Sequence, residues 1–276
     1  MTYKALCKRL ALAGIENAAW EASLLLEHFC SVSPALLPLE SEKDYQSQAL
    51  EDAVSRREER YPLQYLLGQW QFYRQTYKVT PDCLIPRSDT EILVEEAIRI
   101  LPEGARFADL CTGSGCIAVS VLAERPDTVG YALEKFERTL SLAKENAGIN
   151  GVSNRFLPLL GDVLTEPCPF EEGSLDAILC NPPYIPSAVV PTLERELFCE
   201  PQAALDGGED GLVFYRRILA SFGAALKDGG VFLFEIGYDQ ADALRALGKA
   251  AGFDDCHVLR DLGGNDRVVA LRRADA

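Results

Sequence analysis

The chain has 276 residues, of which 48% are hydrophobic and 25% are charged, so its length suits two domains and its composition is that of a globular protein. The net charge of −15 is concentrated after residue 80, where 18 Lys or Arg residues stand against 32 Asp or Glu residues. This acidity argues against DNA or free RNA as substrate, because binding to phosphate backbones depends on Lys and Arg. No apolar stretch approaches the ~18 residues of a membrane span, and the first residues lack a signal-peptide core.

The cysteines and histidines also limit the possible functions. Nine cysteines are scattered without a C-x-x-C pair, and only two histidines are present. An odd number of thiols without a secretion signal indicates reduced cysteines, and we expect a cytoplasmic protein. The same scarcity of paired ligands argues against a structural zinc site, and we expect no metal.

The N-terminal segment, residues 1–70, is expected to form a small helical domain. Leu6 and Leu10 keep helical spacing, and residues 16–30 carry a second apolar stripe. Ser41 to Asp44 resembles a capping box, which predicts that a third helix begins there and runs to about residue 59. Residues 71–86 alternate in polarity and are rich in β-formers, which indicates a β-hairpin linker.

Residues 87–276 are expected to form the catalytic domain. After a helix that runs to about residue 101, strands are predicted near residues 106–111, 128–133, 155–161, 175–180, 230–236, 256–261 and 267–272, and helices near 115–124, 136–147, 211–226 and 239–251. This alternation predicts an α/β fold with a mostly parallel, seven-stranded sheet and helices on both faces. No helix separates the last two strands, so the last one is expected to be antiparallel.

Four consecutive predicted strands end in glycines or in a polar side chain. The first is followed by a loop in which Gly113 and Gly115 allow a tight turn and close approach to a ligand. The next three end at Glu134, at Gly161-Asp162 and at Asn181. Ligands of such sheets bind at this edge, where Glu134 suits the hydroxyls of a ribose and Asp162 could accept from an adenine amino group.

The sequence Asn181-Pro182-Pro183-Tyr184 directly follows a predicted buried strand. The prolines fix φ and remove two backbone donors, so the carbonyls of Asn181 and Pro182 are not expected to join a regular ladder. Such a turn can hold a planar NH2 group between two acceptors, with the aromatic ring against its face. An amide nitrogen is a poor nucleophile and needs this positioning before it can attack.

Two other classes of protein must be weighed at this point. Gly113, Gly115 and Ala118 also match the G-x-G-x-x-A fingerprint of dinucleotide-binding enzymes, which would suggest an NAD-dependent dehydrogenase. The Asn-Pro-Pro-Tyr turn has no role in hydride transfer, however, and an NH2 site beside a nucleoside site fits S-adenosylmethionine better. The intact turn likewise disfavours an inactive nucleotide-binding adaptor.

These motifs together resemble the class I S-adenosylmethionine-dependent methyltransferases that act on amide or amino nitrogen. Four further strings are similar to those of the HemK-type release factor glutamine methyltransferases, namely residues 65–68 (YLLG), 84–91 (LIPRSDTE), 198–205 (FCEPQAAL) and 261–267 (DLGGNDR). The resemblance runs from about residue 60 to the end of the chain. The helical N-terminal segment also fits that family's small substrate-binding domain.

The resemblance implies a class I methyltransferase fold with S-adenosylmethionine as cofactor and S-adenosylhomocysteine as product. It implies methylation of N5 of the glutamine in the Gly-Gly-Gln motif of peptide chain release factors, which modulates translation termination. We expect a monomer that binds release factors but neither DNA nor membranes. Two positions depart from the family's pattern, because Cys111 stands where related loops often have Gly, and Glu134 where Asp is usual.

The resemblance also assigns roles to residues at the predicted edge of the sheet. The implied cofactor site consists of Asp109, Cys111, Thr112, Gly113, Ser114, Gly115, Glu134, Asp162, Val163 and Asn181. The implied substrate site consists of Asn181, Pro182, Pro183 and Tyr184, of which Asn181, Pro182 and Tyr184 are expected to be catalytic.

Two related activities remain as alternatives. An adenine-N6 DNA methyltransferase shares the Asn-Pro-Pro-Tyr motif because its substrate also presents a conjugated NH2 group. That enzyme would need base flipping and a basic groove, which the acidic second half of the chain disfavours. A ribosomal-protein glutamine methyltransferase would perform the same chemistry, and only the linker and N-terminal strings favour release factors over it.

Overall fold

The computed structural model describes residues 1–273, which form two compact units. Unit 1 comprises residues 1–69 together with 194–199, and unit 2 comprises residues 70–193 together with those described from 200 onward. We expected the domain boundary near residue 70, but we did not expect residues 194–199 to belong to the N-terminal unit. Within residues 1–273, no helix is both long and apolar enough to cross a membrane.

Unit 1 is built from helices. These are α1 (Tyr3–Leu12), α2 (Ala18–Cys30), α3 (Gln48–Glu58) and α4 (Leu63–Leu67), with 3-10 turns at Pro34–Leu36 and Arg195–Cys199. Leu6 and Leu10 of α1 and Leu25 and Leu26 of α2 are fully buried, as expected for apolar residues that recur at helical spacing.

The predicted start of the third helix is wrong. Helix α3 begins at Gln48 instead, where the hydroxyl of Ser47 accepts a hydrogen bond from the Leu50 N–H at 3.2 Å. The residues of the predicted capping box have other partners, since the Asp44 carboxylate accepts from the N-terminal ammonium of Met1 at 2.6 Å. The carboxylate of Asp44 thus binds the N-terminal ammonium instead of a backbone N–H at the start of a helix, which the capping-box pattern had predicted.

Unit 2 contains a hairpin, five helices and a large sheet. The hairpin strands are β1 (Gln69–Phe72), of which all but the first residue lie in unit 2, and β2 (Gln75–Lys78). The hairpin thus begins and ends earlier than predicted. The helices are α5 (Glu91–Ile100), α6 (Cys116–Glu124), α7 (Glu137–Ile149), α8 (Val213–Phe222) and α9 (Ala241–Ala250), and 3-10 turns lie at Ser88–Thr90, Val190–Thr192, Gln202–Ala204 and Gly223–Ala225.

The sheet has seven strands in the order β5-β4-β3-β6-β7-β9-β8. The strands are β3 (Arg106–Leu110), β4 (Val129–Glu134), β5 (Phe156–Leu160), β6 (Leu175–Cys180), β7 (Leu226–Glu235), β8 (Asp255–Arg260) and β9 (Asp266–Arg272). Strands β3 to β7 are parallel, whereas β9 is antiparallel to both β7 and β8. The predicted strands and the antiparallel last strand are therefore confirmed.

Each face of this sheet is covered by a separate hydrophobic core. Phe107 and Leu179 belong to one core, together with residues of α5, α6 and α7. Their sequence neighbours Ala108 and Ile178 belong to the other core, together with residues of α8 and α9. Successive side chains of a strand point to opposite faces, so central strands that are buried on both sides consist almost entirely of apolar residues.

Candidate active site

One cavity of about 430 Å³ lies at the carboxyl ends of β3, β4, β5 and β6. This volume falls within the range of small-molecule sites in proteins. The sequence-predicted residues that line it are Cys111, Thr112, Gly113, Ser114, Glu134, Asp162, Val163, Asn181 and Pro183. The other predicted residues, Asp109, Gly115, Pro182 and Tyr184, are not part of its lining.

The loop after β3 has a left-handed backbone at three positions. The φ values of Cys111, Gly113 and Gly115 are 57°, 55° and 81°. Glycine adopts this region without strain, so the left-handed conformation is unusual only at Cys111. Gly115 precedes the first residue of α6, and a Cβ there would lie 3.2 Å from Cβ of Ala143 in α7. Because Gly115 has no side chain, helix α7 can lie close to the loop.

Asp109 lies behind this loop rather than in the cavity wall. Its Oδ2 accepts from the Thr112 hydroxyl at 2.5 Å and from the Ala118 N–H at 3.2 Å, so it ties the loop to the first turn of α6. Complete burial raises its pKa to about 7, although both hydrogen bonds favour the charged form. The structure therefore places Asp109 as a support of the loop.

Glu134, the last residue of β4, reaches the loop after the neighbouring strand. Its Oε2 accepts from the Gly113 N–H at 3.1 Å, and its Oε1 accepts from the Phe136 N–H at 3.0 Å. Burial raises the pKa of this carboxyl, and the two backbone donors oppose the shift. A carboxylate has more lone pairs than these bonds use, so acceptor capacity remains toward the cavity.

Asp162 follows β5 and is hydrogen-bonded to its own loop. Its Oδ1 accepts from the Leu164 N–H at 2.9 Å, and its Oδ2 accepts from the Thr165 hydroxyl at 3.1 Å and from Lys135 at 3.0 Å. Burial acts to raise the pKa of Asp162, but these donors outweigh it and lower the pKa below its usual value. The carboxylate therefore stays charged at the edge of the cavity.

A buried asparagine that the sequence analysis did not identify anchors the glycine loop from behind. Asn146 of α7 is fully buried, and its Nδ2 donates to the Ser114 carbonyl at 2.8 Å and to the Lys78 carbonyl at 3.1 Å. Its Oδ1 accepts from the Lys78 N–H at 2.7 Å. One side chain thereby joins the loop, the hairpin and α7. The one sequence signal for this residue is an asparagine in the middle of a predicted helix.

The Asn-Pro-Pro-Tyr turn begins directly after β6. Asn181 lines the cavity, and its Nδ2 donates to the Thr90 hydroxyl at 3.2 Å. Within residues 1–273, no donor is hydrogen-bonded to Oδ1 of Asn181 or to the carbonyl oxygen of Pro182. The turn therefore offers two free acceptors, one of them on a side chain in the cavity wall.

The second half of the turn is fixed by contacts with residues at or beyond the ends of β6 and β7. The Tyr184 hydroxyl lies 3.5 Å from Oε1 of Glu235, and its carbonyl accepts from Nε2 of Gln240 at 3.0 Å. Gly207 and Gly211 pack so closely that a Cβ on either would come within 2.7 Å of the Tyr184 backbone. These contacts hold the turn rigidly but do not bring the Tyr184 ring to the cavity surface.

Two strings named in the sequence analysis meet at the wall of the cavity. The buried carboxylate of Glu200 accepts from the Ile85 N–H at 2.9 Å and also pairs with Arg87. Both Arg87 and Ile85 line the cavity, as does Pro201, which follows Glu200. One buried acid therefore joins residues 84–91 to residues 198–205, which explains why both segments border the same site.

The chain has relatives over nearly its whole length. Residues 3–68 match the PrmC N-terminal domain, and residues 88–228 match the methyltransferase small domain. The chain is 38% identical over 267 residues to a release factor glutamine methyltransferase of Caulobacter vibrioides, covering 95% of this chain and 91% of that protein. It is 40% identical over 275 residues to one of Moorella thermoacetica, covering 97% and 96%.

Two solved structures are similar to parts of this chain. A release factor-specific protein-(glutamine-N5) methyltransferase from Alicyclobacillus acidocaldarius is 34% identical and covers 71% of this chain and 99% of its own, with a TM-score of 0.41. A ribosomal protein L11 methylase from Lactobacillus delbrueckii subsp. bulgaricus is 18% identical and covers 71% and 84%, with a TM-score of 0.51. At this lower identity the likeness concerns the fold alone.

Proposed function

The chain belongs to the family of release factor glutamine methyltransferases, and from this premise we propose how its residues bind the cofactor and the glutamine. The fold is that of a class I methyltransferase, and a family of this kind uses S-adenosylmethionine. The reaction that we assign is methyl transfer to N5 of the glutamine in the Gly-Gly-Gln motif of a release factor. We further propose that unit 1, which carries the PrmC N-terminal domain match, serves in binding the protein substrate.

The residues of the cavity fit S-adenosylmethionine. Glu134 supplies acceptors for the ribose hydroxyls, and Asp162 and Val163 provide a polar and an apolar contact for the adenine. A Cβ on Gly113 would meet nothing closer than the Cys111 carbonyl at 4.0 Å, so open space lies beside the loop for a ligand. When bound, the cofactor supplies an electrophilic methyl group on a sulfonium.

The Asn-Pro-Pro-Tyr turn would hold the carboxamide of the substrate glutamine. Oδ1 of Asn181 accepts one N–H of the amide, and the carbonyl of Pro182 accepts the other. These bonds orient the nitrogen and become stronger as it gains positive charge, which stabilises the transition state more than the bound substrate. Pro183 shapes the turn, and Tyr184, whose ring does not reach the cavity surface, is proposed to brace the turn through its contacts with Glu235 and Gln240.

One observation carries this proposal. Asn181, with its free acceptor oxygen, lines the same cavity as the glycine loop and Glu134. An amide bound at Asn181 is therefore in the same space as the groups that fit the cofactor. Reactions between partners held in this way gain several kcal/mol from proximity and orientation.

The experiment is incubation of the purified protein with S-adenosylmethionine and a release factor, followed by mass spectrometry of the Gly-Gly-Gln peptide. We expect a gain of one methyl group, about 14 Da, on the glutamine side chain. Parallel reactions contain ribosomal proteins or adenine-containing DNA. Methylation of either in place of the release factor would assign the protein to the corresponding alternative activity.

A further inference from the structure

Asp206 lines the cavity, and the roles assigned above do not use it. It is exposed, and its Oδ1 accepts two hydrogen bonds, from the Ser187 hydroxyl at 2.6 Å and from the Gly208 N–H at 2.9 Å. Within residues 1–273, no donor bonds to its Oδ2, and no Lys or Arg pairs with this carboxylate. One oxygen is therefore bound to the protein's own loop, and the other is available to a ligand.

Backbone hydrogen bonds hold Asp206 beside the Asn-Pro-Pro-Tyr turn. Asp206 and Ile185 form an isolated parallel bridge. The Ile185 N–H donates to the Leu205 carbonyl at 3.0 Å, and the Gly207 N–H donates to the Ile185 carbonyl at 2.8 Å. Because Ile185 directly follows Tyr184, these bonds fix the position of Asp206 relative to the turn.

The packing of Gly207 makes this placement rigid. Gly207 is buried, and a Cβ on it would lie 2.7 Å from Cα of Tyr184 and 2.8 Å from the carbonyl oxygen of Pro183. Only a residue without a side chain lets the backbone beside Asp206 lie this close to the backbone of the turn. A shift of Asp206 away from the turn would have to break this contact as well as the bridge.

Four carboxylates within residues 1–273 line the cavity, and only one of them lies beside the turn. Glu134 and Asp162 follow β4 and β5 and are assigned to the cofactor. The Asp82 carbonyl accepts from the Thr139 hydroxyl at 2.7 Å, which places Asp82 next to α7, the helix that follows Glu134. Asp206 is thus the carboxylate that is placed for the substrate rather than for the cofactor.

A peptide substrate brings more polar groups into the cavity than its side-chain amide. Oδ1 of Asn181 and the carbonyl of Pro182 are proposed to accept both hydrogens of N5, but backbone N–H groups that lose water also need acceptors. The glycines of Gly-Gly-Gln have no side chains, so an acceptor can approach their N–H groups closely. The hydrogen bonds from Ser187 and Gly208 lower the pKa of Asp206, so its carboxylate is charged and accepts more strongly than a neutral group.

We propose that Asp206 is a substrate-binding residue whose Oδ2 accepts a backbone N–H of the Gly-Gly-Gln segment. This inference rests on the proposed function and adds a second point of attachment to it. The turn holds the side-chain amide, and Asp206 holds the backbone that carries it. Two separate attachments restrict the orientation of the reacting nitrogen more than one does. Ser187 and Gly208 are positioning residues, because they bind Oδ1 and leave Oδ2 to the substrate.

The first test uses Asp206→Asn, which exchanges the free acceptor for a donor and keeps the bonds within the loop. The Gly208 N–H can only donate, so the one oxygen of the new carboxamide stays near Ser187 and Gly208, and its NH2 group takes the place of Oδ2. We expect kcat/KM for the release factor to fall roughly 10- to 100-fold, the range for loss of a hydrogen bond to a charged group, with Kd for S-adenosylmethionine within about threefold.

The matched control is Asp210→Asn. Asp210 belongs to the same segment, is also exposed, and accepts from the N–H of Leu212 at 3.1 Å, two residues ahead, as Asp206 does from Gly208. It does not line the cavity, so this variant should keep the native kcat/KM. Circular dichroism and melting curves establish that both variants are folded.

The second test changes the substrate and includes the wild-type enzyme. Three Gly-Gly-Gln peptides are prepared, in each of which an ester oxygen replaces the backbone N–H of one of the three residues. With the wild-type enzyme, one of these peptides should lose about tenfold or more in kcat/KM relative to the parent peptide. With Asp206→Asn the same ester should lose little, because the hydrogen bond is already absent, and such non-additivity identifies two groups that touch.

Several outcomes would overturn the proposal. If folded Asp206→Asn had the kcat/KM of Asp210→Asn, Asp206 would not bind the substrate. If Kd for S-adenosylmethionine rose in proportion to the loss of kcat/KM, Asp206 would bind the cofactor instead. Equal losses for each ester with both enzymes would mean that another group accepts the N–H. A wild-type enzyme that failed to methylate the release factor would instead reject the proposed function, so the two failures are distinguishable.

Discussion

Replacement of Asn181 by Ala should separate catalysis from both cofactor binding and stability. The variant loses the side-chain oxygen that is proposed to accept from the substrate amide, while the Pro182 carbonyl remains. Removal of one preorganised hydrogen-bonding group from an active site costs roughly 10²-fold or more in kcat, or about 3 kcal/mol. We expect a loss of this size for Asn181→Ala.

The expected effect on folding is much smaller. The Asn181 side chain makes a single hydrogen bond of 3.2 Å, to the Thr90 hydroxyl. The loss of one such bond costs about 1 kcal/mol in the free energy of unfolding. Cofactor affinity should change little, since Glu134 and the glycine loop keep their contacts.

The assay is single-turnover methylation of a Gly-Gly-Gln peptide at saturating S-adenosylmethionine, combined with calorimetry for cofactor binding and urea unfolding for stability. Asn150→Ala is the matched control, because Asn150 is also partly buried and donates to the Thr76 and Asn146 carbonyls at 3.0 and 2.9 Å, but does not line the cavity. It should lose comparable stability and keep the native rate. A native rate in Asn181→Ala would refute the proposed role of its oxygen.

Three further predictions concern the cofactor site, the support of the loop and pH. Glu134→Ala should weaken S-adenosylmethionine binding, because the ribose loses its acceptor; unchanged affinity by calorimetry would exclude Glu134 from the site. Asn146→Ala leaves the backbone N–H and carbonyl of Lys78 and the carbonyl of Ser114 without their partner. The free energy of unfolding in urea should fall by about 3 kcal/mol or more, whereas a loss of only about 1 kcal/mol would mean that water replaces these bonds. Burial raises the pKa of Glu235 from 4.5 to about 7, so the folded protein binds this proton more tightly than the unfolded chain does. As the pH rises from 4.5 to 7, the free energy of unfolding of the wild type should therefore fall relative to that of Glu235→Gln, whose side chain does not titrate. Free energies of unfolding that change in parallel over this range would contradict the prediction.

The order of the strands along the chain could be predicted from the sequence because its signals are local. A buried parallel strand is a continuous apolar run, as in residues 175–180. Because neighbouring parallel strands run in the same direction, their carboxyl ends lie at the same edge of the sheet. Glu134 and Asn181 were therefore identified as site residues from their positions after such runs, and both line the cavity. Their proposed roles await the experiments above.

Local patterns misled where a partner came from elsewhere in the chain. Residues 41–44 have the composition of a capping box, but Asp44 pairs with the N-terminal ammonium and the helix begins after Ser47. The resemblance implied that Asp109 belongs to the cofactor site; its carboxylate bonds to Thr112 and to the first turn of α6, and its part in cofactor binding stays a prediction. A sequence shows which groups are available, but it doesn't show which of several possible partners they meet.

The amino-acid sequence by itself determined the elements of the sheet, the glycine loop and the proline-containing turn, since backbone conformation and apolar periodicity depend on neighbouring residues. Only the tertiary structure decided what stands behind that turn. Thr90, which precedes α5, bonds to Asn181 at 3.2 Å, and Glu235, at the end of β7, lies 3.5 Å from the Tyr184 hydroxyl. Their arrangement results from the packing of β7 and the start of α5 against the turn, and no spacing along the chain encodes the hydrogen bonds that this packing creates.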